Sequence, residues 1–563
     1  MKLPPNTNKI KALSDAGTMS TLQAMLSEKD GVIGEKETLI AEQSDIIEKK
    51  SDVIDSLKKR VELLEEYLRL SNSKRFGSSS EKTPPEQGTL FNEAEATSEP
   101  EQTEPELPTT SEPKAKTGRK PFAKNLPRTQ VFAYLSDIEK EGAINTFFVK
   151  VREELDIIPA KVQVLEYMQE KAVFKDEQGI STMKAAEVIK HPVPKAMGSI
   201  NLMTYIIIAK YADGMPLYRL EGIIERYGGS ISRTTLANYV IALGKQIQPL
   251  INLLRETQHA GSLIMADETR IQVLKEPGLA PTGDKFMWVT LGGKADQQSV
   301  LFDYDPSRAR HVPMRLLHGF THGYLQTDGY AGYNEVCRKN QLIQLGCMDH
   351  ARRKFIEAQQ SQPKGKKIKA SKADMALSLI NKLYGIERTI KHASNEERLA
   401  VRQAKSIPIL NKLQVWLTTN KPRVATDSLT GKAMTYLHNQ WDKLIVYCTD
   451  GQLRISNIMA ENAIRPFAVG RRSWLFADTP AGANASAAHY SLIETARLHG
   501  IEPYAYLNTI FKAIPYAETV EDFEALLPWN YKRSITAVWY VGWLAAYWIF
   551  IILRRKLLDM LVV

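Results

Sequence analysis

Cysteine is scarce in this chain: Cys337, Cys347 and Cys448 are the three in 563 residues. Three scattered thiols cannot make a disulfide framework, so a reducing, cytoplasmic setting is expected. None lies between Met1 and Tyr330, which rules out a tetrahedral thiolate site in that half of the chain. The first stretch is polar and lacks the apolar core of a secretory signal, which points to the same compartment. Acidic residues are outnumbered, 64 Asp and Glu against 74 Lys and Arg, giving a formal charge of +10. That balance favours an anionic partner such as nucleic acid. A chain of this length is expected to hold several domains.

An apolar heptad dominates the N-terminal region. Leu26, Ile33, Ile40, Ile47, Ile54, Val61 and Leu68 recur every seven positions, and Leu57 and Leu64 complete the seam near its end. Lys29, Lys36, Gln43 and Lys50 occupy the second apolar position of the earlier heptads and weaken that half, although Val32, Leu39, Ile46 and Val53 widen the stripe. A coiled coil over 20–72 is expected, as a homo-oligomeric zipper or as an amphipathic helix folded back on its own protein. The SNSKRFGSSSE stretch at 71–81 breaks the pattern. A linker over 82–130 follows. It is first acidic and rich in Pro, Glu, Thr and Ser, and is expected to be disordered. It is then basic through Lys114, Lys116, Arg119, Lys120, Lys124 and Arg128, a candidate phosphate or minor-groove contact or a solvated linker.

Residues 216–243 read as two helices joined by a turn at Gly228 and Gly229, within a helix-turn-helix region spanning 200–256. Ser232 would cap the second helix and leave Arg233, Thr234, Thr235 and Asn238 on its N-terminal turns, the part that enters a major groove in this motif. An ordinary helical hairpin in a core is the other reading.

Three carboxylates lie in structured contexts. Asp267 closes the apolar run SLIMAD and precedes ETRIQVL, which alternates as a half-buried strand does. Strands at 285–291 and 299–304 would continue an antiparallel meander, and a fourth at 323–327 would lead to Asp328, where Gly329 opens a turn towards a helix. Glu461 lies in SNIMAENAIRPFAVGRRSWLF, where Ser456 or Asn457 can cap a short helix. Pro466 is expected to end that helix, and Gly470 to turn into a cationic, aromatic loop. Taken alone, Glu461 reads first as a solvated side chain. A triad of acids brought together makes physical sense mainly around bound metal, and magnesium suits oxygen donors. Arg465, Arg471 and Arg472, and likewise Arg352 and Arg353 in GCMDHARRKF, are phosphate-holding candidates. Cys347 and His350 have a spacing seen in zinc sites, but with no second pair nearby a packed cysteine and a DNA-facing histidine are the preferred reading. The basic run KGKKIKASK at 364–372 is either a DNA contact or a solvated loop.

The stretches ADETRIQVL, LQTDGYAGYN, GCMDHARRKF, AENAIRPFAVGRRSWLF and HYSLIETARLHGIEPYAYL together resemble the DDE transposases of the insertion sequence 66 family. The resemblance runs from the N-terminal helix to about Trp529. It implies a multidomain α/β protein whose mixed-sheet catalytic core, over 260–515, is RNase H-like and carries a helical insertion at about 355–450. It also implies Asp267, Asp328 and Glu461 as metal-binding catalytic acids, with two magnesium ions, or manganese in their place, as cofactor. The implied activity is metal-dependent cleavage and strand transfer at the element's terminal repeats. Expected partners are those repeats, target DNA, a second copy of the chain and accessory transposition proteins, in a nucleoid setting. Residues 131–195 match a module that binds zinc in many relatives, but its cysteines are absent here. Zinc is therefore not expected, and strand pairing must hold that small domain together.

The C-terminal segment, 531–563, departs from the family. Its apolar run at 535–553, at about 1.5 Å per helical residue, would nearly span a ~30 Å hydrocarbon core. An appended read-through tail is preferred to a membrane anchor. A catalytically silent DNA-binding oligomer and a membrane-tethered protein are the rival functions.

Overall fold

The computed structural model describes residues 7–76, 128–130, most of 132–150, 161–175, 181–362 and 370–531. The expected linker at 82–127, the basic run at 364–369 and the apolar run at 535–553 lie outside them. No helix among the described residues is long and apolar enough to cross a membrane.

In chain order, with helices of at least ten residues numbered, α1 spans Thr7–Phe76. The strands β1 (Lys171–Lys175) and β2 (Ser181–Ala185) come next. They precede α2 (Ile200–Tyr211), α3 (Leu217–Arg226), α4 (Arg233–Gln246) and α5 (Gln248–His259). Then come β3 (Leu263–Val273), β4 (Lys285–Gly292), β5 (Ser299–Asp305), β6 (Tyr324–Gln326) and β7 (Ile343–Leu345). The helices α6 (Met348–Gln360), α7 (Lys372–Thr389), α8 (Ile407–Asn420) and α9 (Leu429–Asn439) follow. The described chain closes with α10 (Ile458–Trp474), β8 (Phe476–Ala477), α11 (Pro480–Leu498) and α12 (Pro503–Ala513).

The protein is thus mixed α/β, with a long N-terminal helix and a mixed sheet in the order β5-β4-β3-β6-β7, to which β8 adds by pairing with β3. β3 pairs in parallel with β6, and β6 with β7, whereas β4 and β5 are antiparallel. The chain divides into two compact units. One comprises Met1–Glu93, Ser262–Asp267 and Ala309–Ala460, and the other Ala94–Gly261, Glu268–Arg308 and Glu461–Val563.

The first unit has a helical core in which Phe355, Ile380, Leu413, Trp416, Met434, Leu437 and Tyr447 pack together, and Leu70 at the end of α1 joins it. Its three cysteines, Cys337, Cys347 and Cys448, are free and buried. α1 runs on to Phe76, so the 71–81 stretch does not interrupt the helix where the sequence suggests. Most of the α1 heptad residues, from Leu26 to Leu68, are exposed.

In the second unit α11 is buried on nearly every side and lies on β5. Ser491 Oγ accepts from the Phe302 amide at 2.8 Å, and Thr495 Oγ1 accepts from the Val300 amide at 3.0 Å. Because β5 ends the strand order, these hydroxyls occupy backbone donors that would otherwise form an open edge. α4 packs on the same helix so closely that a Cβ at Gly244 would stand 2.8 Å from the Ala485 backbone. Tyr211 and Ser486 hydroxyls meet at 2.9 Å, and His489 Nε2 lies 2.9 Å from the Val240 carbonyl. The β1–β2 hairpin leaves Val173, Phe174 and Met183 exposed, so the strand pairing of this region forms without the apolar core that the sequence suggests.

Gly244→Ala should cost about 1–3 kcal/mol, the usual range for overpacking a tight contact, read as a lower denaturation midpoint; an unchanged midpoint would mean that α4 and α11 separate freely. Burial, aided by the Lys210 charge, pushes His489 from 6.5 down to about 4, against the Val240 carbonyl, which raises it. Between those values the unfolded chain binds a proton that the folded one does not, so this residue's contribution falls as pH is lowered from 6.5 towards 4. Glu494, raised to about 7 mainly by burial, works in the opposite direction. The comparison is therefore between wild type and His489→Gln. Melting curves at pH 7 and pH 5 should show the larger acid loss in wild type, and equal losses would refute the assignment.

Candidate active site

The first unit contains two of the three singled-out acids. Ile264, Met265 and Ala266 are buried, and the apolar run carries the chain through the parallel sheet. Met265 is the register partner of Gln326. Asp267 lies two residues beyond that pair on β3, and Asp328 lies two residues beyond it, past the end of β6. Both residues are half-buried. Asp267 is the fifth residue of the continuous strand Leu263–Val273, in keeping with the alternation expected through ETRIQVL. The apolar positions Ile271 and Val273, buried beyond it, keep the strand going.

Asp328 follows β6 after Thr327 and is held by its own turn. Its Oδ1 accepts from the Tyr330 amide at 2.8 Å, and Gly329 adopts φ +95°, where a side chain would be strained. The Tyr436 hydroxyl donates to the Asp328 carbonyl at 2.5 Å. Under the turn, buried Gln326 donates through Nε2 to the carbonyls of Arg454 at 2.9 Å and Gly346 at 3.3 Å.

Asn457, fully buried just before α10, donates through Nδ2 to the Ala266 carbonyl at 3.0 Å, and its amide donates to Cys347 Sγ at 3.3 Å. Its Oδ1 accepts no hydrogen bond, so this side chain ties the helix start to the residue before Asp267 and does not cap the helix. Glu461, buried, follows one helical turn later on α10. The helix continues through Pro466 and Gly470 to Trp474, so Pro466 does not end it as its local preference suggests. Packing outweighs that preference: Phe467 is fully buried against Trp474, Tyr490 and Phe302, with ring centroids 5.5, 5.4 and 6.2 Å away. The expected cationic loop is therefore the last turn of a helix. Cys347, His350 and Glu461 are buried residues of metal-ligating type. His350 is 5% exposed, which corrects its reading as a DNA-facing residue.

Arg471 donates to the Thr269 hydroxyl at 3.3 Å and to the Arg270 carbonyl, so it fastens α10 to the second half of β3. Arg472 is exposed and Arg465 half-buried, its pKa lowered by burial. Lys210 lies over the Trp474 and Tyr211 rings at 5.0 and 5.1 Å, and burial lowers it to about 8. Glu268, next in sequence to Asp267, pairs with Arg308 at 2.6 Å. Arg352, half-buried, donates to Asn381 Oδ1 at 3.0 Å and lies over Tyr384, while Arg353 is half-buried.

Ser232 occupies the N-cap of α4, with Oγ accepting from the Thr235 amide, and Gly228 has φ +85° in the turn after α3. Arg233, Thr234 and Asn238 are exposed and Thr235 is half-buried. Glu221 accepts from the Arg233 amide at 2.9 Å.

Residues 195–485 match the family model described as Transposase IS66 family. The chain belongs to that family. Residues 491–529 match the IS66 C-terminal element, and 63–131 a model described as Transposase C of IS166 homeodomain. The chain is also similar to three uncharacterized proteins of Sinorhizobium fredii (strain NBRC 101917 / NGR234). Protein y4qI is 29% identical over 392 residues, 68% of this chain and 71% of the relative. Protein y4hP is 30% identical over 402 residues, 69% and 71% of the two chains, and y4jD 28% over 441, 73% and 81%. An IS66 transposase acts on DNA in transposition, and DDE transposases generally use divalent metal.

Sequence reasoning missed Asn457, Gln326 and Tyr436, because their partners are distant along the chain. The Asn in SNIMAEN was visible, but its bond to Ala266 was not. Asn457→Ala should cost about 1–3 kcal/mol, the penalty for stranding a buried partner, seen as a lower unfolding midpoint. Loss of less than a few tenths would show that the Ala266 bond holds nothing.

Proposed function

We propose that this transposase cuts DNA at the ends of its element and joins the freed 3′ hydroxyls to target DNA, both by in-line phosphoryl transfer. The observation that carries this reading is the parallel pairing of Met265 with Gln326, two residues short of Asp267 and of Asp328 on adjoining segments. Hard carboxylate donors suit magnesium or manganese. Asp267, Asp328 and Glu461 are the residues that would hold the ions. When bound, such ions supply Lewis-acid stabilisation of the attacking and leaving oxygens. The sheet order, with antiparallel β4 and β5 to one side of β3 and parallel β6 and β7 to the other, supports an RNase H-like core.

The remaining work falls to the chain's cations and helices. Arg465 and Arg472 would hold phosphate oxygens, while Arg471, already engaged on β3, would keep α10 in place. Arg352 and Arg353 would meet the DNA backbone from α6. Arg233, Thr234, Thr235 and Asn238 on α4 would read the terminal repeat, the exposed side chains reaching the groove and Thr235 supporting the cap. α1 would pair with a second copy through its exposed heptad, allowing two ends to be held together. Accessory transposition proteins would complete the assembly at the nucleoid.

Asp267→Asn, Asp328→Asn and Glu461→Gln should each abolish magnesium-dependent cleavage of labelled terminal-repeat DNA while retaining its binding. Retained cleavage in all three would sink the assignment, and repeat binding without cleavage by the wild type would favour a silent DNA-binding oligomer.

A further inference from the structure

α9 touches the Asp328 turn at one end and the end of α1 at the other. At its start, the Leu429 amide donates to Glu66 Oε2 at 3.2 Å, and the Tyr67 hydroxyl donates to the Asp427 carbonyl at 3.4 Å. The Lys432 ammonium donates to the Tyr67 hydroxyl and lies 5.0 Å from that ring. Glu66 and Arg69 also grip Ser361 at the end of α6: Ser361 Oγ donates to Glu66 Oε1 at 3.4 Å, and Arg69 Nε donates to the Ser361 carbonyl at 2.8 Å. Leu70 is buried in the core that α9 shares, so this docking has an apolar floor.

At the far end, Tyr436 donates to the carbonyl of Asp328 itself. Gln440, at the C-cap, donates to the Gly329 carbonyl at 3.5 Å and fills the space beside it, where an added Cβ would meet its Cδ at 2.8 Å. From Leu429 to Gln440 the helix covers about 16 Å. A hydrogen-bonded helix packed on a buried core passes a displacement of one end to the other, because it cannot shorten.

We propose that the docked end of α1 is a positioning element for Asp328, acting through α9, with Tyr436 as the positioning residue. The proposal rests on the reading of Asp328 as a catalytic acid. It makes the geometry of the cutting site sensitive to what the N-terminal helix is doing. Undocking of Glu66 and Tyr67 releases α9 and loosens the turn that aims the carboxylate. Tyr436→Phe removes the contact to Asp328 itself, leaving that of Gln440 to Gly329 and the docking of α1 intact.

The test uses the full chain as wild type, Glu66→Ala/Tyr67→Phe, Tyr436→Phe and, as an exposed control on α1, Lys49→Ala. Two readouts are taken: hydrogen exchange of the segment 324–334, and the magnesium concentration that half-activates cleavage of terminal-repeat DNA. Both the undocked variant and Tyr436→Phe should speed exchange at the Tyr330 amide about three- to tenfold, the worth of one hydrogen bond. Both should raise the half-activating magnesium concentration by a similar factor, with the control unchanged. The proposal is overturned if exchange rises at 66–70 in the undocked variant while the 324–334 segment stays protected. It is equally overturned if Tyr436→Phe leaves both readouts at wild-type values. Should the undocked variant fail to fold, Tyr67→Phe alone takes its place. Wild-type protein that cuts no element ends would refute the catalytic reading, and the exchange data would still decide the linkage.

Discussion

Parallel pairing of Leu263–Met265 with Tyr324–Gln326 is the constraint on which the candidate site depends. Side chains alternate along a strand, so a slip of one residue in this pairing would turn the side chains of β6 to the other face of the sheet. The register is held by the buried side chains of Ile264 and Leu325, and by Gln326, whose amide reaches two carbonyls far along the chain. A glutamine at this depth is costly unless bonded, so its two partners fix one alignment of β6 against what lies beneath it. The stretch that follows, from Thr327 to Tyr330, then has little freedom: the turn bonds back to Asp328 Oδ1, and Tyr436 closes over the carbonyl.

The sequence spoke most clearly where pattern is local. The bounds expected for β4 and β5 differ from the structure by a single residue at each far end, because alternation and flanking turns define them. The second helix of the 216–243 pair starts where Ser232 caps it, since a cap is written in a few adjacent residues. Where long-range packing decides, local reading went astray. Pro466 sits inside a helix because Phe467, next to it, and Trp474, about two turns later, bury their rings. His350 belongs to a run of basic residues, yet it is buried, since α6 turns it inward while Arg352 lies over Tyr384.

The family resemblance supplied an expectation that neither pattern nor composition could, that Asp267, Asp328 and Glu461 act together. The structure adds a reason for their supporting cast. Asn457 joins the start of α10 to the backbone at Ala266, so the helix that carries Glu461 begins from a fixed point. α11, whose sequence offers a motif and no evident chemistry, spends two of its hydroxyls on the outermost strand. This explains polar residues on a helix that is otherwise buried on nearly every side.

The three buried cysteines give the protein a built-in reporter. Burial pushes the thiols of Cys337 and Cys448 up to about 11, so their reactive thiolate forms are suppressed in the folded chain. All three thiols lie in the unit made of Met1–Glu93, Ser262–Asp267 and Ala309–Ala460, so alkylating reagents reach them only when that unit opens. The rate of thiol labelling in dilute reagent therefore counts openings of this unit alone. A cysteine introduced on the surface would take up a thiol-reactive dye far faster than the buried native three, without their removal.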